Sequence, residues 1–201
     1  MRDHNIDYQC NTLHSSYFIV HNSYFPMRIG LLSDTHSFLD DKVFDYFAEC
    51  DEVWHAGDFG TLDLLDQLRA FKPLRGVYGN IDGADIRAEV PLDARFECAG
   101  VPVLMTHIGG YPGRYELRVR KLLLDDPPVK GLFISGHSHI LKVIPDRQLD
   151  LLHINPGACG NYGWHKVKTL VRFTLETGRI SDLQIIELGS RGIRGGDEKI
   201  S

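Results

Sequence analysis

The chain is poor in cysteine, and its four cysteines, Cys10, Cys50, Cys98 and Cys159, lie far apart and form no CxxC pair. That spacing argues against a disulfide framework or a zinc–thiolate site and favours reduced thiols in a cytoplasmic protein. Long apolar runs are missing as well. None approaches the ~20 residues of a membrane-spanning helix, and Tyr17-Phe18-Ile19-Val20 is too short for the core of a signal peptide. There is no basic stripe: 22 Lys and Arg stand against 27 Asp and Glu, for a formal net charge of -5. A stable nucleic-acid partner is therefore not expected, although a local cationic site could still hold a nucleotide. What is present, 201 residues with 43% hydrophobic and 24% charged side chains, is enough for one soluble domain with a real core.

The first 26 residues hold Tyr8, Tyr17, Phe18 and Phe25 and three histidines, yet show no sustained period. A second methionine, Met27, then opens a clean apolar strand. Residues 1–26 are read as an extension outside the domain, residues 27–188 as the domain and residues 189–201, rich in glycine, as a flexible tail. His4, His14 and His21 fall in the extension and are not counted as ligands.

Hydrophobic periodicity predicts a strand over Met27–Ser33, a helix over Asp40–Glu49, a strand over Glu52–His55, a helix capped by Thr61 and a strand over Leu74–Tyr78. This βαβαβ opening implies parallel strands with right-handed crossovers. Strands are then expected at Phe96–Ala99 and Val101–Thr106, a helix from about Arg114 to Leu124, and a buried strand at Gly131–Ser135. The rest reads as strand and turn: Leu141–Ile144, Leu151–Ile154, Thr169–Leu175 and Ile180–Glu187. A βα-rich first half and a strand-rich second half point to two packed sheets with helices outside.

Five short segments put ligand-type side chains just after a predicted strand: Asp34-Thr35-His36, Gly57-Asp58, Gly79-Asn80, Thr106-His107 and Gly136-His137-Ser138-His139. Ligands of α/β sheets collect beyond the carboxyl ends of strands, so these loops can converge on one pocket. Carboxylate, imidazole and amide oxygen donors without thiolate suit divalent metals. Asp34 and His36 are two apart, as are His137 and His139, and an extended backbone would point each pair the same way. Glycines before Asp58, Asn80 and His137 permit tight turns. Each piece alone is more often a surface pair or a turn; their joint occurrence in order reverses those odds. It does not do so for His55, His153 or His165, which are read as structural.

The series DTH, GD, GN, TH and GHSH resembles the calcineurin-like metallophosphoesterase superfamily, and within it the small bacterial and archaeal phosphodiesterases of the YfcE type. The resemblance runs from Met27 to about Leu188 and includes Asn155-Pro156-Gly157. It implies an α/β fold, a four-layer αββα sandwich of two mixed β-sheets flanked by helices. It implies one ion on Asp34, His36 and His139, a second on Asn80, His107 and His137, and Asp58 bridging the two, with Asp58, His107 and His137 also read as catalytic. The cofactors would be two divalent ions, Mn2+ ahead of Zn2+, Fe2+ or Ni2+, and the substrate a small phosphodiester or nucleotide-like molecule. The superfamily's histidine after GN is replaced by Ile81, Asp82 then lacks a partner, and His107 is followed by Ile108-Gly109-Gly110.

Two divalent ions with Asp34, Asp58 and a bridging hydroxide would leave the centre near +1, which suits a diester monoanion. Tyr111, Arg114, Tyr162 and Trp164 are candidates for substrate contact, with Arg114 read as a surface residue at a helix start and the aromatics as core or rim packing. The rival readings are a small-molecule phosphomonoesterase and a non-catalytic, protein-binding scaffold of the same fold, as in the retromer subunit. All seven ligand positions are filled, which favours an enzyme.

Overall fold

The computed structural model describes residues 25–162 and 166–190. Its strands are β1 (Met27–Leu32), β2 (Glu52–His55), β3 (Leu74–Gly76), β4 (Asp93–Cys98), β5 (Val101–Thr106), β6 (Gly110–Tyr111), β7 (Arg114–Tyr115), β8 (Leu132–Ile134), β9 (Leu141–Asp146), β10 (Leu151–Pro156), β11 (Val167–Glu176) and β12 (Arg179–Ser190). The helices are α1 (Lys42–Phe47), α2 (Leu62–Phe71), α3 (Ala84–Glu89) and α4 (Leu117–Leu124).

Two five-stranded sheets form, in the orders β12-β11-β1-β2-β3 and β4-β5-β8-β10-β9. In the first, β1, β2 and β3 run parallel and β11 is antiparallel to β1. In the second, β5, β8 and β10 run parallel between antiparallel edges. Side-chain alternation along the central strands explains the layering. Ile29 and Leu31 of β1, Val103 and Met105 of β5 and Ile134 of β8 point into a core between the sheets. Leu32 and Val53 face the opposite way, under Val43 and Phe47 of α1 and Leu64, Leu65 and Leu68 of α2. Leu104 and Phe133 likewise face Val119 and Leu123 of α4. Strands buried on both faces carry nearly continuous apolar runs, as these do. The order helix, sheet, sheet, helix is the expected four-layer sandwich.

Thr61 caps α2 as expected, its hydroxyl accepting from the Leu64 amide. Three differences stand out. The helix expected from Arg114 starts at Leu117; Gly113, at φ 82°, turns the chain so that Arg114 pairs with Tyr111 in a small hairpin. The helix α3 has no side-chain cap and buries only Ile86, so it leaves no periodic mark in the sequence. The strand β12 runs to Ser190, past the boundary expected at Leu188. The rest of the tail, Trp164, His165 and nearly all of the N-terminal extension lie outside the described residues. Cys50, Cys98 and Cys159 are buried free thiols, and among the described residues no helix is long and apolar enough to cross a membrane.

Candidate metal centre

The five loops meet at one end of the sandwich, across the seam between the sheets. Asp34 and His36 follow β1, Asp58 follows β2 and Asn80 lies beyond β3, so the first sheet contributes four of the side chains. His107 follows β5, and His137 and His139 follow β8, from the second sheet. Bonds between loops cross the seam: the His137 amide donates to Asp34 Oδ2 at 3.1 Å and His107 Nδ1 to Ala56 O at 2.8 Å.

Asp34, His36, Asp58 and His139 each offer one donor atom within 4.8 Å of the others. Asp34 Oδ1 lies 3.2 Å from His139 Nε2, 3.9 Å from His107 Nε2 and 4.0 Å from His36 Nε2. Asp58 Oδ2 stands 3.2 Å from His107 Nε2 and 3.6 Å from His36 Nε2, between the two histidines. His107 Nε2 is 3.1 Å from Asn80 Oδ1, and the rings of His107 and His137 are 5.3 Å apart. Asp34, Asp58 and His107 are buried, whereas Asn80 and His137 are exposed, so the centre is open on the Asn80–His137 side.

The donor set fits divalent cations. Asp34 Oδ1 is buried without a hydrogen-bond partner, while Oδ2 is held by the Ser33 hydroxyl at 2.6 Å and the His137 amide at 3.1 Å. A buried carboxylate oxygen left bare is costly. Two imidazole nitrogens, His36 Nε2 and His139 Nε2, also face each other at 3.2 Å beside it. A cation placed among them would take a lone pair from each of the three atoms. The His107 ring is already set for one: its Nδ1 donates to Ala56 O at 2.8 Å, which turns Nε2 and its lone pair toward Asp58 and Asn80.

The paired spacings work by a different geometry from the one expected. Asp34, His36, Asp58, His137 and His139 all have positive φ, between 48° and 65°, so their backbone is left-handed, not extended. Asp and His tolerate this region better than most residues, and such strain gathers at functional sites. The glycines act by close approach. A Cβ on Gly79 would sit 2.0 Å from Asp58 Oδ1, and Gly57, at φ 97°, has the His107 ring 2.5 Å from where its Cβ would be.

Electrostatics separates the histidines. For His107, burial opposes the charge, but the bond and charge of Asp58, with Asp34, outweigh it and raise the imidazole above its usual range. His36, more exposed, is lowered, chiefly by burial. Asp58 is held below the usual carboxylate range: burial works against this, and the bond and charge of His107 prevail.

His55 is structural, as expected. It accepts from the Gly57 amide at Nδ1 (3.1 Å), so Nε2 carries the proton and donates to Thr35 Oγ1 at 3.0 Å. It thereby ties the Asp34 and Asp58 loops together. Complete burial pushes its pKa down to about 3. Because this lies below the unfolded value of ~6.5, the unfolded chain takes the proton first, and stability falls as the pH drops from about 6.5 toward 3. Urea denaturation of the metal-free protein across that range should show a shallower pH slope for His55→Gln than for wild type; equal slopes would exclude His55 as the source. His153 is likewise buried, bonded to Ser135 Oγ at 3.0 Å, with its pKa down to about 4.

Asp82, left out of the expected site, supports the site from behind. Buried, it accepts the Gly79 amide at 2.7 Å and the Asp58 amide at 3.1 Å through Oδ2, and the Gly60 amide at 2.9 Å through Oδ1. Its signal was present: an acid two residues past a ligand, where a tight loop leaves amides without acceptors. Asn155 does similar work, donating to Gly136 O at 2.7 Å and so holding the GHSH loop. Tyr162 is exposed at the rim, 5.9 Å from the His36 ring. Tyr111 lies under Lys142 Nζ at 3.9 Å, and Arg114 is exposed on β7.

Residues 27–178 match the calcineurin-like phosphoesterase superfamily domain. The chain belongs to the calcineurin-like phosphoesterase superfamily. It is 33% identical over 138 residues to a probable metallophosphoesterase of Methanothermobacter thermautotrophicus, covering 66% of this chain and 77% of that protein. A novel archaeal phosphodiesterase superposes with a TM-score of 0.64 at 25% identity, covering 81% of this chain and all of that one. Vps29 of Chaetomium thermophilum shares the fold, with a TM-score of 0.59 at 16% identity over 82% of this chain and 99% of that one.

Proposed function

We propose that the chain is a two-metal phosphodiesterase. The observation that carries this reading is the bare, buried Asp34 Oδ1, surrounded by the Nε2 atoms of His36, His107 and His139 beside Asp58. Asp34, His36 and His139 would hold one ion, and Asn80, His107 and His137 the other, with Asp58 shared. An oxygen and nitrogen donor set without thiolate suits Mn2+, Zn2+, Fe2+ or Ni2+, and the family resemblance puts Mn2+ first. Bound there, the ions would supply Lewis acidity toward the phosphoryl oxygens and lower the pKa of a water nucleophile.

The chain's own groups supply the rest. The Ala56 carbonyl fixes the His107 tautomer, and Asp82 and Asn155 hold the ligand loops in their strained geometry. Among the described residues two carboxylates, Asp34 and Asp58, face the proposed ions, so a residual positive charge would remain to bind a monoanionic diester. Ile81 donates its amide to Asp58 Oδ1 at 3.1 Å, yet its side chain is 45% exposed. It brings neither a proton nor a phosphate contact to the open side.

Elemental analysis of the reconstituted protein should give two divalent ions per chain, and diester turnover should exceed monoester turnover. Ile81→His should raise monoester turnover relative to diester, since a positioned general acid is worth ~10²–10⁴-fold and Ile81 has room for an imidazole. One ion per chain would remove the two-metal reading. A wild-type preference for monoesters would select the phosphomonoesterase instead.

A further inference from the structure

Against the centre opens a cavity of about 380 Å³ that Asn80 and His107 border. Its lining combines Tyr78, Leu92 and Ile108 with Arg87, Arg118 and Glu116. Both arginines are braced to the ligand loops. Arg118 pairs with Asp93 and donates to Thr106 Oγ1 at 3.2 Å and Ile108 O at 3.3 Å, on either side of His107. Arg87 lies over the Tyr78 ring at 4.8 Å, and its bonds go to the carbonyls of Asp82 (2.8 Å) and Asn80 (3.5 Å) rather than to a carboxylate. Among the described residues no carboxylate pairs with it, which leaves its charge for a ligand.

We infer that this cavity is the subsite for the organic group of the diester, and that it takes one nucleoside. The inference rests on the phosphodiesterase reading, because a group esterified to a phosphate at Asn80 and His107 projects here. Size sets the first limit: the volume is at the low end of small-molecule pockets, which run ~300–1,000 Å³, so it has room for one base and sugar. Chemistry sets the second. A nucleoside has apolar ring faces for Tyr78, Leu92 and Ile108, ring acceptors for the guanidinium donors, and sugar hydroxyls for Glu116. An aliphatic alcohol would leave Arg87 and Glu116 unused, and a bare sugar would leave the apolar wall unused.

The test uses the manganese-loaded full chain and two diesters, thymidine 5′-(p-nitrophenyl phosphate) and methyl p-nitrophenyl phosphate. In parallel, calorimetry compares binding of thymidine 5′-monophosphate with that of inorganic phosphate. Both the kcat/KM ratio and the affinity ratio should favour the nucleoside by about tenfold or more, or ~1.4 kcal/mol. Leu92→Trp, which narrows the rim, and Arg87→Met, which removes the donor without filling space, should each reduce both ratios; if the first fails to fold, the second decides. Equal hydrolysis of the two esters with equal binding of nucleotide and phosphate would overturn the subsite and leave the phosphodiesterase standing. Tight nucleotide binding without hydrolysis of either ester would support the subsite and overturn the catalytic reading. Unchanged ratios in a folded variant would place the nucleoside elsewhere and overturn the inference.

Discussion

Asp58→Asn should lose both ions and nearly all turnover, whereas Asp34→Asn should keep a measurable fraction of each. Asp58 Oδ2 stands between His107 and His36, at 3.2 and 3.6 Å, while its Oδ1 holds the Ile81 amide. One substitution there removes charge from both halves of the centre. Asp34 Oδ1 lies closest to His139, at 3.2 Å, and some 0.7 Å or more farther from the other two histidines, at 3.9 and 4.0 Å. Loss of a supporting group around a metal typically costs ~10–100-fold in affinity or activity, and a shared ligand should exceed that. Metal content and kcat/KM of the two variants, measured side by side, check this. Equal losses would mean that Asp58 is not shared.

Asp82→Ala should damage the fold as well as the site. The substitution strands the amides of Asp58, Gly79 and Gly60, and each buried donor left unpaired costs ~1–3 kcal/mol. A loss of about 3 kcal/mol or more follows, roughly 6–12 °C in Tm for a domain of this size. Asp82→Asn keeps one acceptor oxygen but turns an NH2 group toward an N–H, so it should fall between wild type and Ala. Thermal denaturation of the metal-free proteins separates these outcomes, and an unchanged Tm in the Ala variant would show that water replaces the carboxylate.

Much of the proposed centre is legible in the sequence because chemistry at strand ends is local. The loops after β1, β2, β5 and β8 each carry their proposed ligands within three residues of the strand, or four for His36 and five for His139, so finding the strand nearly finds the ligand. What was hidden depends on groups distant in the chain. The role of Asp82 is set by amides 22 to 24 residues away as well as by Gly79 beside it. The β6–β7 hairpin is two residues per strand, and α3 is a single buried Ile86 and a turn and a half of helix, too short for a period to register. The left-handed backbone at five ligands was also out of reach, since nothing in Asp-x-His or His-x-His distinguishes an extended pair from a twisted one.

Placing the ligands on both sheets has a mechanical consequence. Asp34, His36, Asp58 and Asn80 belong to one face of the sandwich, and His107, His137 and His139 to the other. Any cation held among them would be a rivet through the two leaves at one end; at the far end the leaves meet through the shared core and a backbone bond from the Gly178 amide to Ala99 O at 2.9 Å. Binding energy spent there is also energy against splaying the leaves, about 4 kcal/mol when free metal exceeds its dissociation constant a thousandfold. A chelator would therefore loosen the molecule as well as silence it, beginning at the mouth that admits the substrate.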